Sequence, residues 1–203
     1  MGQAQKQKIT YRSEAKPNNL LLVSGDLGGA YMGLQVLERE KEVFKVNPNN
    51  QPDLTLYSYC VERQLKPEAR KDVINLLEEV DLVPNAMIDI SDGLSSEIFQ
   101  LSKASGVGCT VYEEKLPADP QTSLTAEEFK INTSTALLDG GEDYELLMAI
   151  KSKDYDKIKN HPLLSPIGHF TDQKEICSMK TGLGQSIPLV ALGWKNFNKN
   201  KSP

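Results

Sequence analysis

Ala86-Met87-Ile88-Asp89-Ile90, running straight into Ser91-Asp92-Gly93-Leu94, decides the fold. A short, mostly apolar run is strand-like, and the apolar residues that follow, Leu94, Ile98 and Leu101, recur at helical spacing. Gly106 is placed to end that helix in a left-handed cap. A strand that passes through a glycine turn into a helix is one α/β unit. The same pattern stands upstream. Leu20-Leu-Leu-Val-Ser24 reads as a buried strand, Gly25-Asp-Leu-Gly-Gly29 as a turn, and Leu27, Tyr31, Leu34 and Leu37 as one helical face. Glu38 and Lys41 lie one turn apart and pair weakly.

The pattern continues outward in both directions. Asn47 to Asp53 is breaker-rich and forms a loop. Pro67 precedes an amphipathic helix whose inner stripe is Ala69, Val73, Leu76, Leu77 and Val80. Val107–Tyr112 and Glu145–Ile150 read as strands. Thr125-Ala-Glu-Glu128 fits a capping box for a short helix, and 154–160 a polar helix stopping before Pro162. Residues 167–193 read as β-rich. Strands alternating with helices through one chain predict helices layered against a sheet.

Composition bounds the function. Of 203 residues, 39% are hydrophobic and 25% charged, which excludes a wholly disordered chain. Lys plus Arg number 23 against 28 Asp plus Glu, a net charge of -5, so no overall basic field exists for a nucleic-acid backbone. Cys60, Cys109 and Cys177 are widely spaced and form no Cys-x-x-Cys pair, which points to neither a zinc site nor a disulfide framework. An odd thiol count suits a reducing compartment, no apolar run reaches the ~20 residues of a membrane span, and a cytoplasmic location is expected.

The residues with chemical promise cluster in a few places. Asp89 and Ser91 point the same way along a strand, and Asp92 follows at the expected helix N-cap. Two carboxylates and a hydroxyl at the start of a helix suit Mg²⁺ and a phosphate, because carboxylates take the hard cation and the helix dipole favours the anion. The bland alternative is a cap and a solvated strand residue. Gly140-Gly-Glu142-Asp143-Tyr144-Glu145 concentrates three carboxylates and a tyrosine behind two glycines, more than a simple turn requires. The glycines of 24–29 lack a P-loop's Gly-Lys-Ser/Thr ending and are read as packing glycines. His161 and His169 are read as structural, and Trp194 as either a core aromatic or a flat wall for a ring-shaped ligand.

Together these segments resemble the thiamine-monophosphate kinase family, within the superfamily that includes aminoimidazole ribonucleotide synthetase and selenophosphate synthetase. The matching pieces are Tyr11-Arg-Ser-Glu-Ala-Lys16, Val23-Ser-Gly-Asp-Leu-Gly28, Ile88-Asp-Ile-Ser-Asp-Gly-Leu94, Ala104-Ser-Gly-Val-Gly108, Leu116-Pro117, Gly140-Gly-Glu-Asp-Tyr-Glu-Leu146 and Gly193-Trp-Lys-Asn-Phe197. They occur in the family's order over nearly the whole chain. The resemblance implies a three-layer α/β/α domain with a mixed sheet. It implies ATP-dependent phosphorylation of thiamine monophosphate to thiamine diphosphate, with Mg²⁺ screening the two anions. Asp89 and Asp92 would bind Mg²⁺, Ser91 and Arg12 would contact ATP, and Glu142 and Trp194 would contact the thiamine substrate.

The departures matter too. The family's first domain carries an acidic cluster, and Gly2-Gln-Ala4 resembles only the end of that domain. The expectation is therefore a remnant and linker over 1–11, a C-terminal α/β/α domain over 12–195 and a frayed tail over 196–203. Such a chain would hold part of both sites and be inactive alone; a homodimer is expected of the full-length protein. Glu14 stands where the family usually has glycine, and Asn196 where histidine is common. The rivals are a non-catalytic module binding thiamine phosphates or a partner, and a sibling enzyme acting on another small substrate.

Overall fold

The computed structural model describes residues 6–49 and 51–191. Seven strands form one mixed sheet: β1 Asn19–Ser24, β2 Ala86–Ile90, β3 Gly108–Tyr112, β4 Glu145–Lys151, β5 Leu164–Thr171, β6 Cys177–Lys180 and β7 Ser186–Pro188. Their spatial order is β2-β4-β1-β5-β3-β6-β7. All neighbours are antiparallel except β3 and β6. Among the described residues six α-helices accompany the sheet: α1 Gly29–Val46, α2 Ser58–Leu65, α3 Lys71–Glu79, α4 Leu94–Ser105, α5 Pro120–Glu128 and α6 Thr133–Asp139.

Alternation along the strands explains why helices cover both faces. Leu21 and Val23 of β1, with Leu147 and Ala149 of β4 and Ile90 of β2, pack against Leu94, Ile98 and Leu101 of α4 and Leu137 and Leu138 of α6. Their neighbours Leu22, Met148 and Ile150 face the other way, against Val73, Leu76 and Leu77 of α3. Each fully buried Leu or Ile contributes roughly 1.5–3 kcal/mol of transfer free energy, so both layers are firmly held. A third cluster, Met32, Cys60, Ala126 and Ala136, ties α1, α2, α5 and α6 together. The architecture is therefore the expected α/β/α sandwich around a mixed sheet.

Several local expectations need correction. Leu34 of α1 is exposed, and the helix instead buries Ala30, Met32, Gly33 and Val36, because its neighbour is α2, a helix the periodicity did not disclose. Helix α3 begins at Lys71, so Ala69 lies outside it and exposed. Helix α5 starts at Pro120, where the Asp119 side chain accepts from Gln121 N at 2.7 Å. Thr125 therefore lies within this helix and does not cap it; its hydroxyl donates back to Gln121 O. The segment after β4 is a 3-10 helix, Ser152–Lys157, and α6 was not anticipated. Gly106 does close α4, with φ 66° and ψ 32°. Among the described residues no helix is long and apolar enough to cross a membrane. The expected tail, 196–203, lies outside the described residues.

Candidate functional site

Antiparallel pairing builds the site. Ile90, the last residue of β2, sits opposite Glu145, the first of β4. The turn leaving β2 and the loop entering β4 must therefore lie side by side. Two backbone hydrogen bonds lock them: Glu142 N donates to Ser91 O at 2.8 Å, and Tyr144 N to Ile90 O at 2.9 Å. Gly141 is needed for this approach, since a Cβ there would stand 2.6 Å from the carbonyl oxygen of Ser91. Gly93, at φ 105°, turns the chain from strand to helix in a region L side chains rarely enter.

Asp89, Ser91, Asp92 and Glu142 thus come together on one rim. Asp89, Asp92 and Glu142 are exposed and Ser91 is half-buried. The Tyr144 hydroxyl donates to Glu142 Oε2 at 2.8 Å. That bond and the Glu142 charge hold the Tyr144 phenol above its usual range, with Asp89 and Asp92 adding to the effect. One tyrosine therefore senses carboxylates from both sides of the junction. Asp92 does not cap α4, contrary to expectation: Gly93 holds the N-cap position and no side-chain bond caps the helix. Instead Asp92 N donates to Glu97 Oε1 at 3.3 Å, leaving the Asp92 carboxylate free to face outward.

One expected residue among those described does not join this group. Arg12 is exposed, and its carbonyl is anchored by the Ser105 hydroxyl at 3.2 Å, at the far end of α4. Trp194 lies outside the described residues. The histidines hold local structure: Leu163 N donates to His161 Nδ1, and His169 Nδ1 meets the Tyr112 hydroxyl at 3.4 Å.

Behind the rim lies an ion network that sequence reading missed. Asp143 turns inward and accepts from Gly28 N at 2.8 Å and Ala30 N at 3.3 Å, closing the N-terminus of α1. Burial pushes its carboxyl up to about 7, against the pull of Gly28 N and the Arg63 charge. Glu145 is buried too, bonded to the Ser24 hydroxyl, to Arg63 Nη2 at 3.0 Å and to Arg70 Nη1. The Tyr59 hydroxyl donates to Asp26 at 2.6 Å. The signal was present: carboxylates buried at the start of a strand demand cations, and two arginines stand seven residues apart around the 58–71 segment.

A divalent cation suits the rim's donor set. Among the described residues no group of three or more His, Cys, Asp or Glu side chains is arranged to hold a metal ion. Asp89 and Asp92 supply two hard carboxylates, the number Mg²⁺ commonly takes from a protein when phosphate oxygens and water complete its shell.

No family model matches the chain. Thiamine-monophosphate kinase of Aquifex aeolicus is 30% identical over 194 residues, covering 94% of this chain and 56% of that protein. The Bacillus subtilis enzyme of the same name is 30% identical over 203 residues, 97% of this chain and 58% of its own. This chain is a homologue of the thiamine-monophosphate kinases. It spans a little over half the length of these relatives. Among solved structures, a thiamine-monophosphate kinase complexed with AMPPCP and TMP (named AaThiL) superimposes with a TM-score of 0.74 at 26% identity. The match covers 93% of this chain and 54% of that one. The hydrogenase maturation protein HypE, solved with ATP, matches at 0.70 and 16% identity, a likeness of fold alone. The thiamine-monophosphate kinases are phosphotransferases.

Proposed function

We propose that this chain carries one part of a site that transfers the γ-phosphoryl group of ATP to thiamine monophosphate, giving ADP and thiamine diphosphate. The observation that carries this reading is the rim itself: Asp89, Ser91, Asp92 and Glu142 come from two separate segments and are locked together by the Ser91 O and Ile90 O hydrogen bonds. A relative solved with both an ATP analogue and TMP supports the pairing of substrates. In this reading Asp89 and Asp92 hold Mg²⁺, Ser91 contacts ATP, and Glu142 and Trp194 contact the thiamine substrate; Arg12, at the far end of α4 from Ser91, is left out of the ATP contact. Bound Mg²⁺ would screen the repulsion between donor and acceptor phosphates. Transfer of this kind depends on positioning and charge stabilisation, so the rim needs no nucleophile of its own.

Two carboxylates are too few to neutralise a triphosphate and an acceptor phosphate together. The chain by itself is therefore expected to bind without turning over. Purified chain is incubated with ATP, Mg²⁺ and thiamine monophosphate, and thiamine diphosphate is followed by chromatography. Calorimetry with AMPPCP and with thiamine monophosphate runs in parallel. Binding without turnover is expected. Turnover matching that of a longer relative would refute the partial-site reading. Binding of neither ligand would refute the site, and binding of thiamine monophosphate alone would favour a non-catalytic module.

A further inference from the structure

Glu97, so far only the acceptor for Asp92 N, is a buried carboxylate directly behind the rim. It lies in the first turn of α4 and is only 4% exposed. Among the described residues no lysine, arginine or histidine bridges to it. A buried carboxylate without a cation is costly unless its bonds are worth keeping. Both of its bonds go to the rim: Oε1 accepts from Asp92 N at 3.3 Å and faces the Ser91 hydroxyl at 3.5 Å. The same acceptor atom thus reaches the backbone of one expected Mg²⁺ ligand and the side chain of one expected ATP contact.

We propose that Glu97 is a positioning residue, a clamp beneath the Ser91-Asp92 turn that takes the Ser91 O–H, leaving the Ser91 oxygen's lone pairs toward the rim, and holds the Asp92 backbone so that its carboxylate faces outward. Its assignment to phosphoryl transfer rests on the function proposed above; the clamp itself rests only on geometry. Without a side-chain cap on α4, the turn is held by Gly93's conformation, the Glu142 N bond to Ser91 O, the Tyr144 N bond to Ile90 O, and Glu97. Of these, only Glu97 reaches the Ser91 hydroxyl. Because the clamp works by accepting hydrogen bonds, an amide of the same length should largely replace it and a methyl should not.

The test uses the whole chain with Glu97→Gln, Glu97→Ala and Ser91→Ala. Amide hydrogen exchange at Asp92 is read by NMR, and binding of AMPPCP with Mg²⁺ by calorimetry. Glu97→Ala should speed Asp92 exchange by on the order of tenfold and weaken AMPPCP by a similar factor. Glu97→Gln should stay within about threefold on both. Unchanged Asp92 exchange in Glu97→Ala would overturn the clamp, and so would a Glu97→Gln variant as impaired as Glu97→Ala. Should Glu97→Ala fail to fold, Glu97→Met, which keeps the length and volume but accepts no strong hydrogen bond, takes its place, and unchanged Asp92 exchange in it would overturn the clamp. Failure of the unaltered chain to bind AMPPCP, or full binding by Ser91→Ala, would sink the proposed function while Asp92 exchange still judges the clamp.

Discussion

Replacing Glu145 by glutamine tests the ion network that underlies the rim. The variant keeps the side chain's volume and removes its charge. In the parent, the buried Glu145 carboxylate takes Arg63 Nη2 at 3.0 Å, Arg70 Nη1 and the Ser24 hydroxyl. In the variant one of those oxygens becomes an amide, and at least one donor then faces another donor. Removing one partner of a buried ion pair costs about 3–5 kcal/mol. Two features reduce that figure here. The arginine side chains keep 13% and 21% exposure, so water screens part of the loss, and Asp72 stays 2.8 Å from Arg70 Nη2 as an alternative partner. The expected destabilisation is about 2–3 kcal/mol, or a fall in melting temperature of roughly 4–12 °C for a domain of this size. Urea denaturation at neutral pH measures it. A cycle with Arg70→Met and the double variant isolates the pairwise part, which should be about 1 kcal/mol or more. A Glu145→Gln variant within about 0.5 kcal/mol of the parent, with no coupling to Arg70, would refute the network as a structural element.

Other outcomes follow from the same geometry. Asp143 has a folded-state carboxyl pushed up to about 7, so the folded protein binds more protons than the unfolded chain between the ordinary carboxylate range and that value. Its contribution to stability is therefore present at low pH and fades as pH rises through 7; relative to Asp143→Asn, the parent should lose about 2–4 kcal/mol from pH 4 to 8, read as a pH series of urea midpoints. Gly33→Val should destabilise by about 3 kcal/mol or more in thermal melts, because even a Cβ at Gly33 would run into the Cys60 carbonyl where α1 crosses α2. Asp119→Ala removes the α5 cap and should cost about 1 kcal/mol in the same assay. Asp92→Asn should weaken Mg²⁺-dependent AMPPCP binding at least tenfold with little change in melting temperature, since its carboxylate is exposed.

The fold was largely legible in the chain because its strands are short, dense apolar runs bounded by turn residues. Leu20–Ser24, Ala86–Ile90 and Glu145–Ile150 all fall within a residue of their observed bounds. The helices were harder. Helix α2 carries a single fully buried residue, Cys60, so it offers no periodic stripe to read. Helix α6 packs Ala136, Leu137 and Leu138 in succession, a run that looks no more helical than extended. The junction was found, but by a partly mistaken route. Asp92 was expected as the helix N-cap, with the helix dipole drawing a phosphate to it. Strand β2 is an edge strand paired antiparallel to β4, and the gathering of groups comes instead from that pairing. Register between distant segments is set by tertiary packing, and no local pattern around Asp89 encodes it.

The two neighbours Glu142 and Asp143 show how the hidden network and the rim depend on each other. Adjacent carboxylates in a regular extended strand would also diverge, but each would keep a fixed relation to the sheet. Here Glu142 and Tyr144 both adopt left-handed backbone conformations, at φ 68° and 53°, which non-glycine residues seldom accept. Such strain, of order 1–3 kcal/mol at each position, persists only where the surroundings over-determine it. Those surroundings are identifiable. Asp143 is held from below by Gly28 N and Ala30 N, and its carbonyl by Arg63 Nη2 at 3.2 Å. The flanking amides are held from the side by Ser91 O and Ile90 O. With the middle residue pulled inward and both neighbours fixed to the adjacent turn, Glu142 has nowhere to go but the rim. The buried ions therefore matter to the site as much as to stability: loosening Asp143 should release Glu142 from Tyr144 before it unfolds the domain.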